Sequence, residues 1–274
     1  MNAVKRALSL VLPTPVIDRI RRIHRMQISL KVIDLSRISL IREKSLEYLS
    51  DPQLLETDLL PRLGLNNEEL TEFPEELYPY CGNGLFYWQY PSQFSKYLTL
   101  LSKYNIESYL EIGTRHGGTF VITVEYLQKF HPLKYSIGID ISKCPSLEKY
   151  ATINSTAKFF RFDSQSTKFE NFLAEFGTFD LVLVDGCHGM EACMHDFETI
   201  KNRANIIVFH DIISDSCPGV VKIWNQVKVL FPNAYKFYEF VEQYDSVRKR
   251  TGKRYLGIGV AIKNSILSRS TVSS

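Results

Sequence analysis

Ser108-Tyr-Leu-Glu-Ile-Gly-Thr-Arg-His-Gly-Gly-Thr-Phe120 sets three glycines, Gly113, Gly117 and Gly118, directly behind the carboxylate of Glu111. Tyr109 to Ile112 is apolar apart from Glu111 and reads as a short buried strand. Phe120 to Phe130 has the apolar spacing of an amphipathic helix. Strand, glycine turn and helix in that order make one βα unit. A carboxylate at the end of the strand raises the question of what the turn holds.

The same alternation continues downstream. Strands are expected at Tyr135–Ile141, Phe159–Phe162, Asp180–Val184, Asn205–Phe209, Tyr235–Val241 and Tyr255–Ile262. Helices are expected at Ser92–Tyr104, Thr167–Phe176, Glu191–Asn202 and Val220–Leu230, with a charged segment at Asp245–Arg254. Strands at regular spacing with helices between them predict an α/β fold with a doubly wound, largely parallel sheet. No internal repeat interrupts the pattern.

The chain has 274 residues, 45% hydrophobic and 23% charged, which is ordinary for a globular protein able to bury a full core. Its net charge of +3 gives no argument for nucleic acid. The charge is unevenly placed: residues 1–50 hold ten Lys/Arg against four Asp/Glu, and residues 51–80 hold one Arg against eight Asp/Glu. The two blocks can pair with each other, or the basic one can face an acidic partner. Residues 16–48 read as one or two basic amphipathic helices (Ile17, Ile20, Ile23, then Val32, Ile33, Leu35), either packed on the main domain or lying on a membrane surface. Residues 51–92 are acidic and then aromatic, with interspersed Pro and Gly, and read as an irregular connection. Five cysteines without paired spacing, no secretory leader and no membrane-spanning run imply reduced thiols in a cytoplasmic protein.

Open α/β sheets bind ligands at the carboxyl ends of their strands. Those ends carry Glu111 with its glycine turn, then Asp140, Asp163, Asp185, and His210 with Asp211. Each carboxylate alone can be a turn or helix-cap residue, but five in succession exceed what a sheet requires. Glycines let a ligand approach the backbone, and the following helix directs its N–H groups at a carboxylate or phosphate. Asp140 can take both hydroxyls of a ribose. Glu111 would repel pyrophosphate but suits an ammonium group, and Glu-x-Gly-x-x-x-Gly-Gly departs from the dinucleotide spacing Gly-x-Gly-x-x-Gly. An adenosine, an amino acid and a sulfonium together describe S-adenosylmethionine.

Glu111-Ile-Gly-Thr-Arg-His-Gly-Gly118, Gly138-Ile-Asp140, Phe179-Asp-Leu-Val-Leu-Val-Asp-Gly-Cys-His188 and Ile207-Val-Phe-His-Asp211 resemble the class I S-adenosylmethionine-dependent methyltransferases. Within them, they look like the branch that shares a metal site with macrolide-sugar O-methyltransferases and with proteins labelled cephalosporin hydroxylases. The resemblance covers about residues 85–262 and implies a Rossmann-like, mostly parallel seven-stranded sheet. It assigns cofactor contacts to Glu111, Gly113, Gly117, Gly118, Asp140, Asp163 and Asp185, and metal ligation to Asp185, Asp211 and His210. His210 stands where the macrolide-sugar enzymes have an acidic residue. Oxygen ligands favour Mg²⁺ or Mn²⁺, whereas an imidazole favours a softer ion. His188, three residues after Asp185, is the expected general base; the alternative is a histidine capping the helix that follows.

The expected organisation is a helical or irregular N-terminal appendage over 1–84, a cofactor-binding methyltransferase domain over 85–264, and a flexible tail over 265–274. The expected activity is O-methyl transfer to a hydroxyl of a sugar or glycan-linked small molecule, the acceptor class resting on the family alone. Homo-oligomerisation and peripheral membrane contact stay open. The rivals are a nicotinamide-dependent oxidoreductase on a similar sheet and a non-catalytic scaffold. Cys187, Cys193 and Cys217 with His195 lack a zinc spacing and read as buried thiols. Tyr87, Trp88 and Tyr90 can line an acceptor pocket or fill core; Arg115 and His116 can touch cofactor or solvent.

Overall fold

A computed structural model describes residues 30–270 of the chain. Helix α1 (Pro91–Leu101) leads into β1 (Ser108–Ile112), α2 (Gly118–Phe130), β2 (Tyr135–Asp140), α3 (Pro145–Ile153), β3 (Ala157–Arg161) and α4 (Thr167–Phe176). The chain continues through β4 (Phe179–Val184), α5 (Met190–Ile200), β5 (Ala204–His210), α6 (Pro218–Leu230), β6 (Tyr235–Phe240), α7 (Asp245–Thr251), β7 (Ile258–Lys263) and α8 (Asn264–Ser270). The seven strands form one sheet in the order β3-β2-β1-β4-β5-β7-β6. Its first five strands pair in parallel, while β7 runs antiparallel between β5 and β6.

Alternation along each strand divides the core between two faces. Leu110, Ile112, Val182, Val184, Ile207 and Phe209 pack under α4, α5 and α6 with Phe169, Phe197 and Trp224. Tyr109, Leu181, Leu183, Ile206 and Val208 face the opposite side, against α1 and α2. Leu30, Ile33, Leu49, Leu60, Leu63 and Phe73 belong to that same second core. Residues 30–84 therefore pack onto the sheet's helical layer, and polar ties fix them there. Arg42 makes two 2.7 Å hydrogen bonds to the buried Glu125 of α2. Tyr126 donates to Leu49 O at 2.8 Å, and Ile33 N donates to Ser146 Oγ at 3.1 Å.

Several elements differ from the sequence expectation. The stretch read as an irregular connection contains consecutive helical turns at Pro52–Leu54, Leu55–Leu59 and Leu60–Leu63, the middle one π-helical. Asp51 caps their start by accepting from Gln53 N and Leu54 N, with Pro52 in the first turn. Helices α3 and α7 were not anticipated; both are short, and α3 opens with Pro145 in its first turn. Where a tail was expected from 265, α8 places Ile266 and Leu267 against the core; residues 271–274 lie outside the described residues. The basic helix expected from residue 16 lies outside them up to residue 29. Beyond that point the chain forms short turns at Leu35–Ile38, Ser39–Arg42 and Leu46–Leu49. All five cysteines are free. Among the described residues no helix is long and apolar enough to cross a membrane.

Candidate active site

The sheet's order reverses between β1 and β4, and the carboxyl ends of strands at such a reversal are where open α/β sheets form their ligand crevice. Hydrogen bonds fix its floor: Asp185 N donates to Ile112 O at 2.8 Å, and Gly113 N donates to Ile139 O at 2.9 Å. Gly113 has φ +91°, and a Cβ there would stand 2.1 Å from the Asp185 carbonyl oxygen. A Cβ on Gly118 would stand 2.0 Å from Leu85 O. The sequence pattern alone assigns the glycines to a ligand; in the fold, Gly113 and Gly118 are already required by the chain's own backbone.

Segments before the domain cover the turn. His116 Nδ1 accepts from Lys31 N at 3.1 Å, and its Nε2 lies 3.0 Å from Glu68 Oε1. Arg115 pairs with Glu68 and places its guanidinium over Trp88. Although burial opposes it, the hydrogen bond from His116 and the charge of Arg115 hold the Glu68 carboxyl down at about 2. Asp140 receives Arg115 N at 2.8 Å and Ser142 N at 2.7 Å, so it already holds the turn's backbone. Asp163 receives Gln165 N at 3.0 Å in the turn that opens α4. Glu111 is buried beneath α2, accepts from Tyr109 Oη, and is held well above the carboxylate range by burial, with the charge of Asp185 adding to it.

Beside this crevice the ends of β4 and β5 bring a polar cluster together. Asp185 Oδ1 lies 3.1 Å from His210 Nδ1 and 3.3 Å from His188 Nε2. Asp211 Oδ2 lies 3.6 Å from both His210 Nδ1 and His188 Nδ1. Burial opposes ionisation of Asp185, but the charges and hydrogen bonds of His210 and His188 overcome it and hold that carboxyl well below its usual range. Burial likewise opposes charge on His210, yet Asp185 and Asp211 push it up to about 9. His188 is raised too, by its hydrogen bond to Asp185 and the charge of Asp211 acting against burial. Asp211 takes a left-handed backbone, φ +62°, which short acidic side chains tolerate.

The strand-end residues expected from the sequence form two groups, with Asp163 in neither but in the turn that opens α4. Glu111, Gly113, Gly117, Gly118 and Asp140 surround the turn; Asp185, His188, His210 and Asp211 form the cluster. Cys217 joins the cluster and Glu72 lies within range of its charges, and the sequence pattern marks neither. Cys217, at the start of α6, lies 3.1 Å from both His188 Nδ1 and Asp211 Oδ2. Glu72, from the N-terminal segment, accepts from Trp88 Nε1 at 3.1 Å. Burial pushes its carboxyl up to about 7, with the charge of Asp211 adding to the effect. Tyr87 and Tyr90 are core side chains, whereas Trp88 is half-buried above Arg115.

Residues 110–212 match the family model of a methyltransferase domain. No curated protein sequence matches the chain. Among solved structures, the chain is similar to an O-methyltransferase from Bacillus cereus bound to SAH, with 11% identity and a TM-score of 0.45 over 63% of this chain and 80% of that one. It is also similar to MycE, the methyltransferase of the mycinamycin biosynthetic pathway, in complex with Mg, SAH and mycinamycin VI, with 14% identity and a TM-score of 0.43 over 66% and 50%. A third is an rRNA methylase from Streptococcus thermophilus, with 9% identity and a TM-score of 0.46 over 63% and 97%.

Proposed function

We propose, for a chain whose residues 110–212 match the family model of a methyltransferase domain, that it transfers a methyl group from S-adenosylmethionine to a hydroxyl of a sugar or glycan-linked small molecule. The observation that carries this reading is the convergence of Asp185, His210 and Asp211, with His188, beside the glycine turn. One oxygen or nitrogen from each of the first three lies within 4.8 Å of the others, a donor set of two carboxylates and an imidazole that fits a divalent cation. That cation is Mg²⁺ or Mn²⁺ in this reading. When bound, it would make a nearby hydroxyl more acidic and neutralise the carboxylates' charge.

The remaining work falls to the chain's own residues. Glu111 and the turn bind the amino-acid part of the cofactor, Asp140 its ribose, and Asp163 the edge of the crevice beyond β3. Gly117 and Gly118 bring the start of α2 towards it. His188, held between Asp185 at Nε2 and Cys217 and Asp211 at Nδ1, is the base of this reading, and it takes the acceptor's proton only in its neutral form. The methyl group then passes in line from sulfonium to oxygen, and catalysis consists mostly of positioning.

Calorimetric titration with S-adenosylmethionine, its demethylated product and NAD, each with and without Mg²⁺, tests the reading. It is followed by assay of product formation on a panel of saccharide acceptors. Binding of the first two ligands and Mg²⁺-dependent turnover support it. Binding of NAD alone would replace it with an oxidoreductase, and silence from all three would favour a scaffold.

A further inference from the structure

The cluster contains a second donor set that the hard-cation reading leaves unused. Cys217 Sγ, His188 Nδ1 and Asp211 Oδ2 stand 3.1, 3.1 and 3.6 Å apart pairwise. Tetrahedral Zn²⁺, with bonds of about 2.0–2.3 Å to N, O and S donors, holds such atoms about 3.3–3.6 Å apart. The three donors are thus near that geometry without a change of fold. A thiolate and an imidazole are soft to borderline ligands, and they discriminate against Mg²⁺. Local packing holds them in place: Cys217 stands at the N-terminal boundary of α6, and a Cβ on Gly219 would stand 2.4 Å from His188 O, so the helix start lies directly on the His188 loop. Cys217 is buried, whereas the His188 side chain is 33% exposed and provides an approach from solvent.

We propose that His188, Asp211 and Cys217 form a soft-metal site for Zn²⁺, which shares Asp211 with the hard-cation set and excludes its simultaneous use. Ion binding breaks the Sγ–H bond, releases the proton to solvent and forms an Sγ–metal bond, while the imidazole binds through Nδ1 as its neutral form. Three protein donors leave a fourth position for water or solute. Because Asp211 would be withdrawn from one cation and His188 fixed on the other, Zn²⁺ acts as an inhibitor of any activity that needs both. The donor distances carry this inference independently of methyl transfer.

The test uses the full chain and Co²⁺ as a spectroscopic stand-in for Zn²⁺, in the presence of excess Mg²⁺. The expected result is a near-ultraviolet thiolate-to-cobalt charge-transfer band that Zn²⁺ abolishes and Mg²⁺ does not. Cys217→Ser should lose the band and weaken Zn²⁺ binding by more than about 100-fold, beyond what loss of an outer-shell partner costs. His188→Ala, a substitution at a partly exposed position, should weaken both as well, which keeps the test open if Cys217→Ser fails to fold. Absence of the band from the wild-type chain overturns the proposal, as does its persistence in a folded Cys217→Ser chain. Either result leaves the Mg²⁺-dependent methylation assay to judge the function separately.

Discussion

Asp185 Oδ1 lies 3.1 Å from His210 Nδ1, joining the end of β4 to the end of β5. The same oxygen reaches His188 Nε2 at 3.3 Å, so one carboxylate organises both imidazoles. Replacing Asp185 with Ala should remove cation binding and lower turnover by at least about 100-fold, within the range for losing a positioned acid–base group. S-adenosylmethionine affinity should change little. Parallel measurement of kcat and of cofactor affinity checks this, and full activity in the variant would exclude the metal-assisted reading.

Asp140 fixes the glycine turn through Arg115 N, and the proposed function gives it the cofactor's ribose as well. Asp140→Ala should weaken S-adenosylmethionine binding by roughly 10-fold or more, the loss of a charge-assisted contact of about 1.5–3 kcal/mol. Calorimetry gives the affinity. An unchanged value would remove the ribose role and leave Asp140 as a support for the turn.

Glu72 approaches the cluster from a turn far away in sequence, and its carboxyl is pushed up to about 7 by burial first and by Asp211 next. Near about pH 8 the wild-type carboxylate is charged and should favour a cation at Asp211; Glu72→Gln should then bind Mn²⁺ several-fold more weakly. Near about pH 6 the wild-type group is mostly protonated, so the two proteins should converge. Mn²⁺ titrations at both pH values would show the difference, and equal affinities at the higher pH would place Glu72 outside the cation's field.

Arg42 binds the side chain of Glu125, which is 2% exposed, while Arg42 is itself about half exposed. Tyr150 Oη donates to the same carboxylate at 2.7 Å. Arg42→Ala leaves a buried charge without its cation and should cost about 2 kcal/mol, below the full penalty for a buried pair because Arg42 is solvated. Adding Glu125→Gln should recover part of that loss. Urea unfolding of the single and double variants measures the coupling.

Asp196 is fully buried on α5, and burial pushes its carboxyl from 3.8 up to about 7 against the hydrogen bond from Gln165. A folded pKa above the unfolded one means that this group's contribution is complete at low pH and is lost as the pH rises through about 7. Asp196→Asn, which keeps the acceptor for Gln165, should therefore raise Tm near pH 8. The gain should correspond to at most about 4 kcal/mol, from a shift of about three pH units. The advantage should vanish near pH 4. A Tm difference independent of pH would show that Asp196 is ionised differently.

The order of strands from β1 to β7, the helices between them apart from α3 and α7, and the carboxylates at the strand ends are written in the sequence. These follow from local rules: alternation marks a strand, and a glycine turn after a carboxylate marks the edge at which parallel strands end. Asp185, His188, His210 and Asp211 could be named together because each stands next to the end of its own strand. Local pattern says nothing about which distant segment fills a given space. Glu72 carries no signature that ties it to β5, and Cys217 has no metal-ligand spacing, so only the packing of the N-terminal turns and of α6 brings them to the cluster. The glycines show the same division. Their positions are legible in the chain, but the cause of Gly118, the Leu85 carbonyl lying against it, exists only once residues 30–90 have folded over the sheet's helical layer.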